Sequence, residues 1–151
     1  MAEPVGAASR ADARGLVRAV PTWAWITALV LCSAGFRYLL ARRMVAPWIM
    51  VDELIYSELA KSFAASGHFL VREQPFGVTA LYPALISPAY RAFGAVPDAY
   101  RAAKGINSVV MSLAAVPAYL LARRVVERPL ALLAALLTVA VPSMLYTGTL
   151  M

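Results

Sequence analysis

Two adjacent carboxylates, Asp52 and Glu53, follow the apolar approach "APWIMV" and open the segment "DELIYSELAKSFAASG". At the start of a helix, unpaired backbone N–H groups and the positive end of the helix dipole favour an anion. A carboxylate held there can accept a proton from an attacking hydroxyl, or hold a cation that in turn binds phosphate. Neighbouring residues on a helix point about 100° apart, so one carboxylate can face a reaction while the other orients a partner. The same pair is also ordinary N-cap and first-turn chemistry, and residue types alone do not choose between the two.

What must position these carboxylates is a bilayer. The chain is 62% hydrophobic and 15% charged, with a mean hydropathy of +0.70. A soluble domain carries about 25% charged residues, so there is too little polar material here to cover a water-facing surface. The net charge of +6 does not point to nucleic acid, because the basic residues flank the apolar runs instead of forming one patch, as membrane topology and anionic lipid require. The single cysteine, Cys32, lies inside an apolar run and excludes an intrachain disulfide.

Residues 1–18 are rich in Ala, Gly and Arg without an apolar period and read as a cytoplasmic tail. Residues 19–41 form the first expected transmembrane helix, with Pro21 suited to its first turn and Trp23 and Trp25 as interfacial anchors. Its uncharged part is longer than the apolar core of a signal peptide, and no small-residue cleavage site follows. Arg37 falls within this span, near enough to its end to snorkel. A second span is expected over residues 105–122, a cytoplasmic turn over 123–129, and a third span from 130 onward, with Pro129 in its first turn and a kink at Pro142. That third run is still apolar at Met151, so the chain reads as the N-terminal piece of a longer protein. Arg10, Arg14 and Arg18 before the first span, and Arg123, Arg124 and Arg128 after the second, place both ends inside by the positive-inside rule. Residues 42–104 are then external.

That external segment has its own helical pattern. Ile55, Leu59 and Phe63 recur four residues apart on one face, with Glu58 and Lys61 elsewhere on the wheel. Asp52 is placed to cap this helix and Gly67 to end it. An amphipathic helix beside membrane spans lies in the interface. A second short helix is expected over residues 82–93, after the breaker-rich stretch "REQPFG", with Pro83 and Pro88 keeping it short or irregular. The fold class is therefore an all-α integral membrane protein with interfacial amphipathic helices in its external loop.

The stretch "WIMVDELIYSELAKSF", followed by a glycine, a loop and "ALYPALISPAYRAFG", resembles the N-terminal region of the GT-C fold membrane glycosyltransferases that use polyprenyl-phosphate sugars, a group that includes protein O-mannosyltransferase-like and aminoarabinose-transferase-like enzymes. The resemblance covers about residues 19–151. It implies that Asp52 is the general base of the first external loop, with Glu53 beside it, and that Tyr82 and Pro83 of "LYP" help shape the substrate cavity. It further implies transfer of a sugar, with inversion, from a lipid-linked donor to an acceptor hydroxyl on a glycan, lipid or protein at the outer face of the cell membrane. Such members have about 11 or more spans, so this piece alone is expected to be inactive. A divalent cation is left open.

Polyprenyl phosphate, as it departs, needs cations near its oxygens. Arg72, beside Glu73 in the breaker-rich loop, is the first candidate, with Arg91, Arg101 and Lys104 after it; each is equally a basic residue meeting lipid headgroups. His68 reads as a loop residue and Trp48 as an interfacial anchor. Two other classes compete: a transporter fragment, which would want acidic residues inside the spans, and a small scaffold protein, which would want a polar close to the third span.

Overall fold

The computed structural model describes residues 20–43, 51–77 and 80–141, with side chains from Glu53 onward in the second of these stretches. Among the described residues the chain is mostly helical: α1 (Thr22–Ala41), α2 (Val51–Ser66), a hairpin of β1 (Leu70–Val71) and β2 (Gln74–Pro75), α3 (Leu81–Ala92), α4 (Val96–Ser112), α5 (Ala115–Ala122) and α6 (Arg128–Ala140). Two apolar rods, Thr22–Ala41 and the nearly continuous Val96–Ala122, are long and apolar enough to cross a membrane.

The three apolar elements pack into a bundle in which α1 lies against α4, α5 and α6, and α5 against α6. Pro21 is the N-cap of α1, with extended backbone (φ −63°, ψ 147°), and not a residue of its first turn. Pro97 and Pro129 do stand in the first turns of α4 and α6, where the missing N–H costs nothing. Between α4 and α5 the helix tightens for one turn, because Pro117 has no N–H for the carbonyl of Leu113. The Val116 N–H takes its place at 3.0 Å, a three-residue step.

Many of the residues buried in this bundle are small, beside the larger Arg37, Tyr119 and Val139. Ala34, Ala41, Ala103, Ala115, Ala131 and Ala135 are its core, with Ser108 and Ser112, while Leu31, Phe36, Leu39, Leu120, Leu121, Leu133 and Leu137 face outward. Small residues let helix backbones approach closely, which is how helices associate when the surroundings are as apolar as the side chains. The Ser112 hydroxyl donates to Ser33 Oγ across α1 and α4 at 2.9 Å.

The second layer consists of α2, α3 and the hairpin, and rests on the first half of α4. Leu59 and Ala60 of α2, Ile86 and Ala89 of α3, and Ala99 and Ala103 of α4 are buried there. The expected apolar face of α2 is thus the packed one, with Phe63 stacked on Phe69 at 4.4 Å between ring centroids. Gly67 ends α2 at φ +75°, its N–H bonded to the Phe63 carbonyl. In α3, Pro88 deprives the Ala84 carbonyl of its helical donor, and the Ser87 hydroxyl supplies one at 2.8 Å. Pro88 therefore sits inside an unbroken helix.

Three sequence expectations need correction. The all-α reading missed the hairpin, whose register pairs Leu70 with Pro75 and Val71 with Gln74. Its two turn residues, Arg72 (φ 49°) and Glu73 (φ 67°), both adopt the left-handed region without being Gly or Asn, so the usual turn signal is absent. Asp52 falls within α2 as described, not before it. The helix expected over residues 105–122 begins at Val96, so Arg101 and Lys104 are helical residues. Residues 1–19, Trp48 and the kink expected at Pro142 lie outside the described residues.

Candidate functional site

The site forms where α2 and α4 meet the end of α1. Packing of Ala60 with Ile86 and Ala89 of α3 and Ala103 of α4 brings the first turn of α2 toward Tyr100. Glu53 is only 3% exposed, and its Oε1 accepts a hydrogen bond from the Tyr100 hydroxyl at 2.9 Å. One helical turn along α4 lies Lys104, 4% exposed, whose ammonium stands 4.5 Å above the Tyr100 ring and 3.5 Å from the Ala41 carbonyl at the end of α1. Spacing by four residues puts Tyr100 and Lys104 on one face of α4.

Two hollows share this wall. One, of about 390 Å³, is lined by Tyr38, Arg42, Pro97, Tyr100, Arg101 and Lys104. It gathers three cations at the end of α1 and, among the described residues, no carboxylate. The other, of about 280 Å³, is lined by Glu53, Ser57, Lys61, Pro97 and Tyr100 among others. Pro97 and Tyr100 belong to both, so a cationic hollow and a carboxylate hollow lie back to back.

Aromatic hydroxyls surround the carboxylate. Tyr82 meets Tyr56 edge-on, at 5.4 Å between centroids and 78° between planes. The Tyr82 hydroxyl is buried with no hydrogen-bond partner among the described residues. Burial first, and then the nearby charge of Glu53, hold this phenol well above the ordinary tyrosine range, so it stays neutral. Tyr90 is also raised by burial, against the opposing effect of its 2.7 Å hydrogen bond with Ser57.

Of the sequence candidates, Glu53, Tyr82, Arg101 and Lys104 come together here. Asp52 occupies α2 next to Glu53, but its side chain lies outside the described ones. Arg72 does not join them: it lines a separate surface hollow with Glu58, Lys61 and Glu73 at the hairpin tip. Arg91 lines another, with Lys61, Tyr90 and Phe93. Both are exposed. Tyr100 and Arg42 were missed as site residues, and a helical reading of "YRAAK" would have exposed the pairing of Tyr100 with Lys104.

Arg37 takes a different part. It is fully buried, and its guanidinium donates to the Val139 carbonyl at 2.9 Å and to Ser33 Oγ at 3.3 Å. The α6 helix ends at Ala140, and Val141 turns to ψ 131° as the residue before a proline prefers. The guanidinium thus caps one of the last carbonyls of α6, at the negative end of that helix's dipole. The snorkelling expected of Arg37 does not occur.

No protein-family model matches the chain, and neither a curated protein nor a solved structure matches it.

Proposed function

We propose that this chain is the donor-site end of an integral membrane glycosyltransferase that moves a sugar from a polyprenyl phosphate to an acceptor hydroxyl. One observation carries the reading: a buried carboxylate, Glu53, stands directly behind a hollow that collects Arg42, Arg101 and Lys104 at the mouth of a helical bundle. The sequence resemblance described above points the same way. Membrane insertion is supported by the outward-facing leucines, since only 17% of the apolar stretch of α1 and 28% of that of Val96–Ala122 is buried against protein.

In this reaction the acceptor oxygen attacks the anomeric carbon and the bond from that carbon to the phosphate oxygen breaks. The hydroxyl proton passes to a carboxylate of the Asp52–Glu53 pair. The electron pair of the broken bond leaves with the polyprenyl phosphate, whose added negative charge faces Arg42, Arg101 and Lys104. A single displacement inverts the anomeric centre. Tyr82, kept neutral by burial, adds no charge beside the carboxylate. The site faces the outside of the cell membrane, with the N-terminus in the cytoplasm.

The test is sugar transfer by native membranes carrying the protein, with a radiolabelled polyprenyl-phosphate sugar as donor. Asp52→Asn and Glu53→Gln are each expected to lower transfer by a hundredfold or more, at unchanged protein level, as loss of a general base does. Arg72→Ala and Arg91→Ala are expected to leave it within twofold. Unchanged turnover by both carboxylate variants refutes the reading.

A further inference from the structure

We infer that the groove between α1 and α6 seats one acyl chain of an anionic phospholipid, whose phosphate lies against Arg128. The inference rests on the membrane insertion proposed above and adds a lipid bound at a defined place. Matching registers on two helices build the groove. Trp25, Ala28 and Cys32 recur at three- and four-residue steps along α1, and Pro129, Leu133 and Leu136 do so along α6, so each set forms one face. Ala28 and Cys32 are the small side chains among them, and the hollow between the two faces is about 460 Å³. Leu29 and Leu132, packed on the core of the bundle, line it too, while Leu133 and Leu136 remain about half exposed.

The lining and one end of the groove identify its occupant. The lining is hydrocarbon apart from the Cys32 thiol and the Trp25 indole, so water has few partners there, and a void forfeits the contacts a chain would make. From Trp25 to Cys32 the groove runs about 10 Å, at 1.5 Å per helical residue, which suits a stretch of acyl chain lying along the helices.

The end at Trp25 and Pro129 is cationic. The turn over residues 123–128 holds Arg123, Arg124 and Arg128 against the single carboxylate of Glu127. Arg128 directly precedes Pro129, and its guanidinium donates to the Val20 carbonyl, so it reaches from α6 to the start of α1 across that end of the groove. Positive charge at this place attracts a lipid phosphate, and favours a headgroup of net negative charge over a zwitterionic one.

The experiment places the purified chain in phosphatidylcholine vesicles and reads tryptophan quenching by lipids brominated on one acyl chain. The chain has three tryptophans, so Trp23→Phe with Trp48→Phe leaves Trp25 as the reporter in the groove. Trp25→Phe with Trp48→Phe leaves Trp23, which is 71% exposed, as the reporter of surrounding lipid. Brominated phosphatidylglycerol is expected to quench Trp25 at about one-fifth of the mole fraction that brominated phosphatidylcholine requires, the preference that one arginine near a membrane surface gives. Ala28→Leu, which fills the groove and leaves every charge, is expected to abolish that preference. Arg128→Gln is expected to lower it about threefold or more, and Arg128→Lys to retain it. Equal quenching of Trp25 by the two lipids, a preference that survives Ala28→Leu or Arg128→Gln, or a loss as large in Arg128→Lys as in Arg128→Gln overturns the lipid site while insertion stands. Quenching of Trp23 but not of Trp25 shows the groove closed by protein, a second copy of the chain included, and overturns the site equally. No quenching of either tryptophan overturns insertion and site together.

Discussion

Replacing Arg37 by Ala removes the cap from the end of α6 and the tie between α1 and α6 together. Among the described residues, the hydrogen bonds to the Val139 carbonyl at 2.9 Å and to Ser33 Oγ at 3.3 Å are lost. A hydrogen bond from a charged donor contributes about 1.5–3 kcal/mol, and the abandoned carbonyl of Val139 adds a desolvation cost of about 1–3 kcal/mol. Loss of a side chain that is 0% exposed also leaves a cavity. Against these stands relief from burying a charge, which in soluble proteins can cancel the gain when a well-packed apolar residue replaces the ion. Interhelical hydrogen bonds inside membranes average only about 0.6 kcal/mol and reach about 1.7. Weighing these, Arg37→Ala is expected to lose about 2–3 kcal/mol, and Arg37→Met, which fills the space, about 1 kcal/mol. The assay is unfolding in mixed micelles by increasing sodium dodecyl sulfate, followed by tryptophan fluorescence. An Arg37→Ala variant within about 0.5 kcal/mol of the unaltered protein refutes the argument, since that is the size of an ordinary surface substitution.

Three further outcomes follow from particular contacts. Ser87→Ala strands the Ala84 carbonyl beside Pro88 and is expected to destabilise the second layer by about 1–2 kcal/mol, whereas Ser87→Ala with Pro88→Ala restores a backbone donor and recovers most of it, by the same unfolding assay. Glu73→Gly relieves a left-handed residue at φ 67° and is expected to strengthen amide protection at Val71 and Gln74 in hydrogen exchange; weaker protection would show that the turn conformation is not what limits the hairpin. Burial holds Tyr82 and Tyr90 above the ordinary tyrosine value of 10.0, so below that pH they are neutral whether the chain is folded or not. As pH rises past it, the unfolded chain loses protons that the folded one retains, stability falls, and Tyr82→Phe should flatten that fall in the unfolding midpoint.

The sequence by itself determined the elements. A long apolar run interrupted by Arg37 alone marks α1, and the apolar run from Gly105 to Ala122 marks the later part of the α4–α5 rod, because a helix satisfies its own backbone hydrogen bonds locally. The four-residue recurrence of Ile55, Leu59 and Phe63 and the stop at Gly67 give α2 for equally local reasons, and the start of α3 near Tyr82 is legible from the breakers before it. The hairpin was not legible, since Arg72 and Glu73 carry no intrinsic preference for positive φ and are held there by the pairing on either side. The early start of α4 was hidden because a charged helix segment, Asp98 to Lys104, resembles a linker when hydropathy is the guide.

Only the tertiary structure decided which charges meet. Arg72 and Arg91 have the same chemistry as Arg101 and Lys104, but a cation's use depends on which element it faces, and the packing of α2 and α3 on α4 turns the first pair to the surface. Glu53 and Tyr100 are far apart in sequence and meet because Ala60 is buried among residues of α3 and α4. Arg37, legible only as a charge in a span, became the cap of α6, a contact that exists only once α1 and α6 lie side by side.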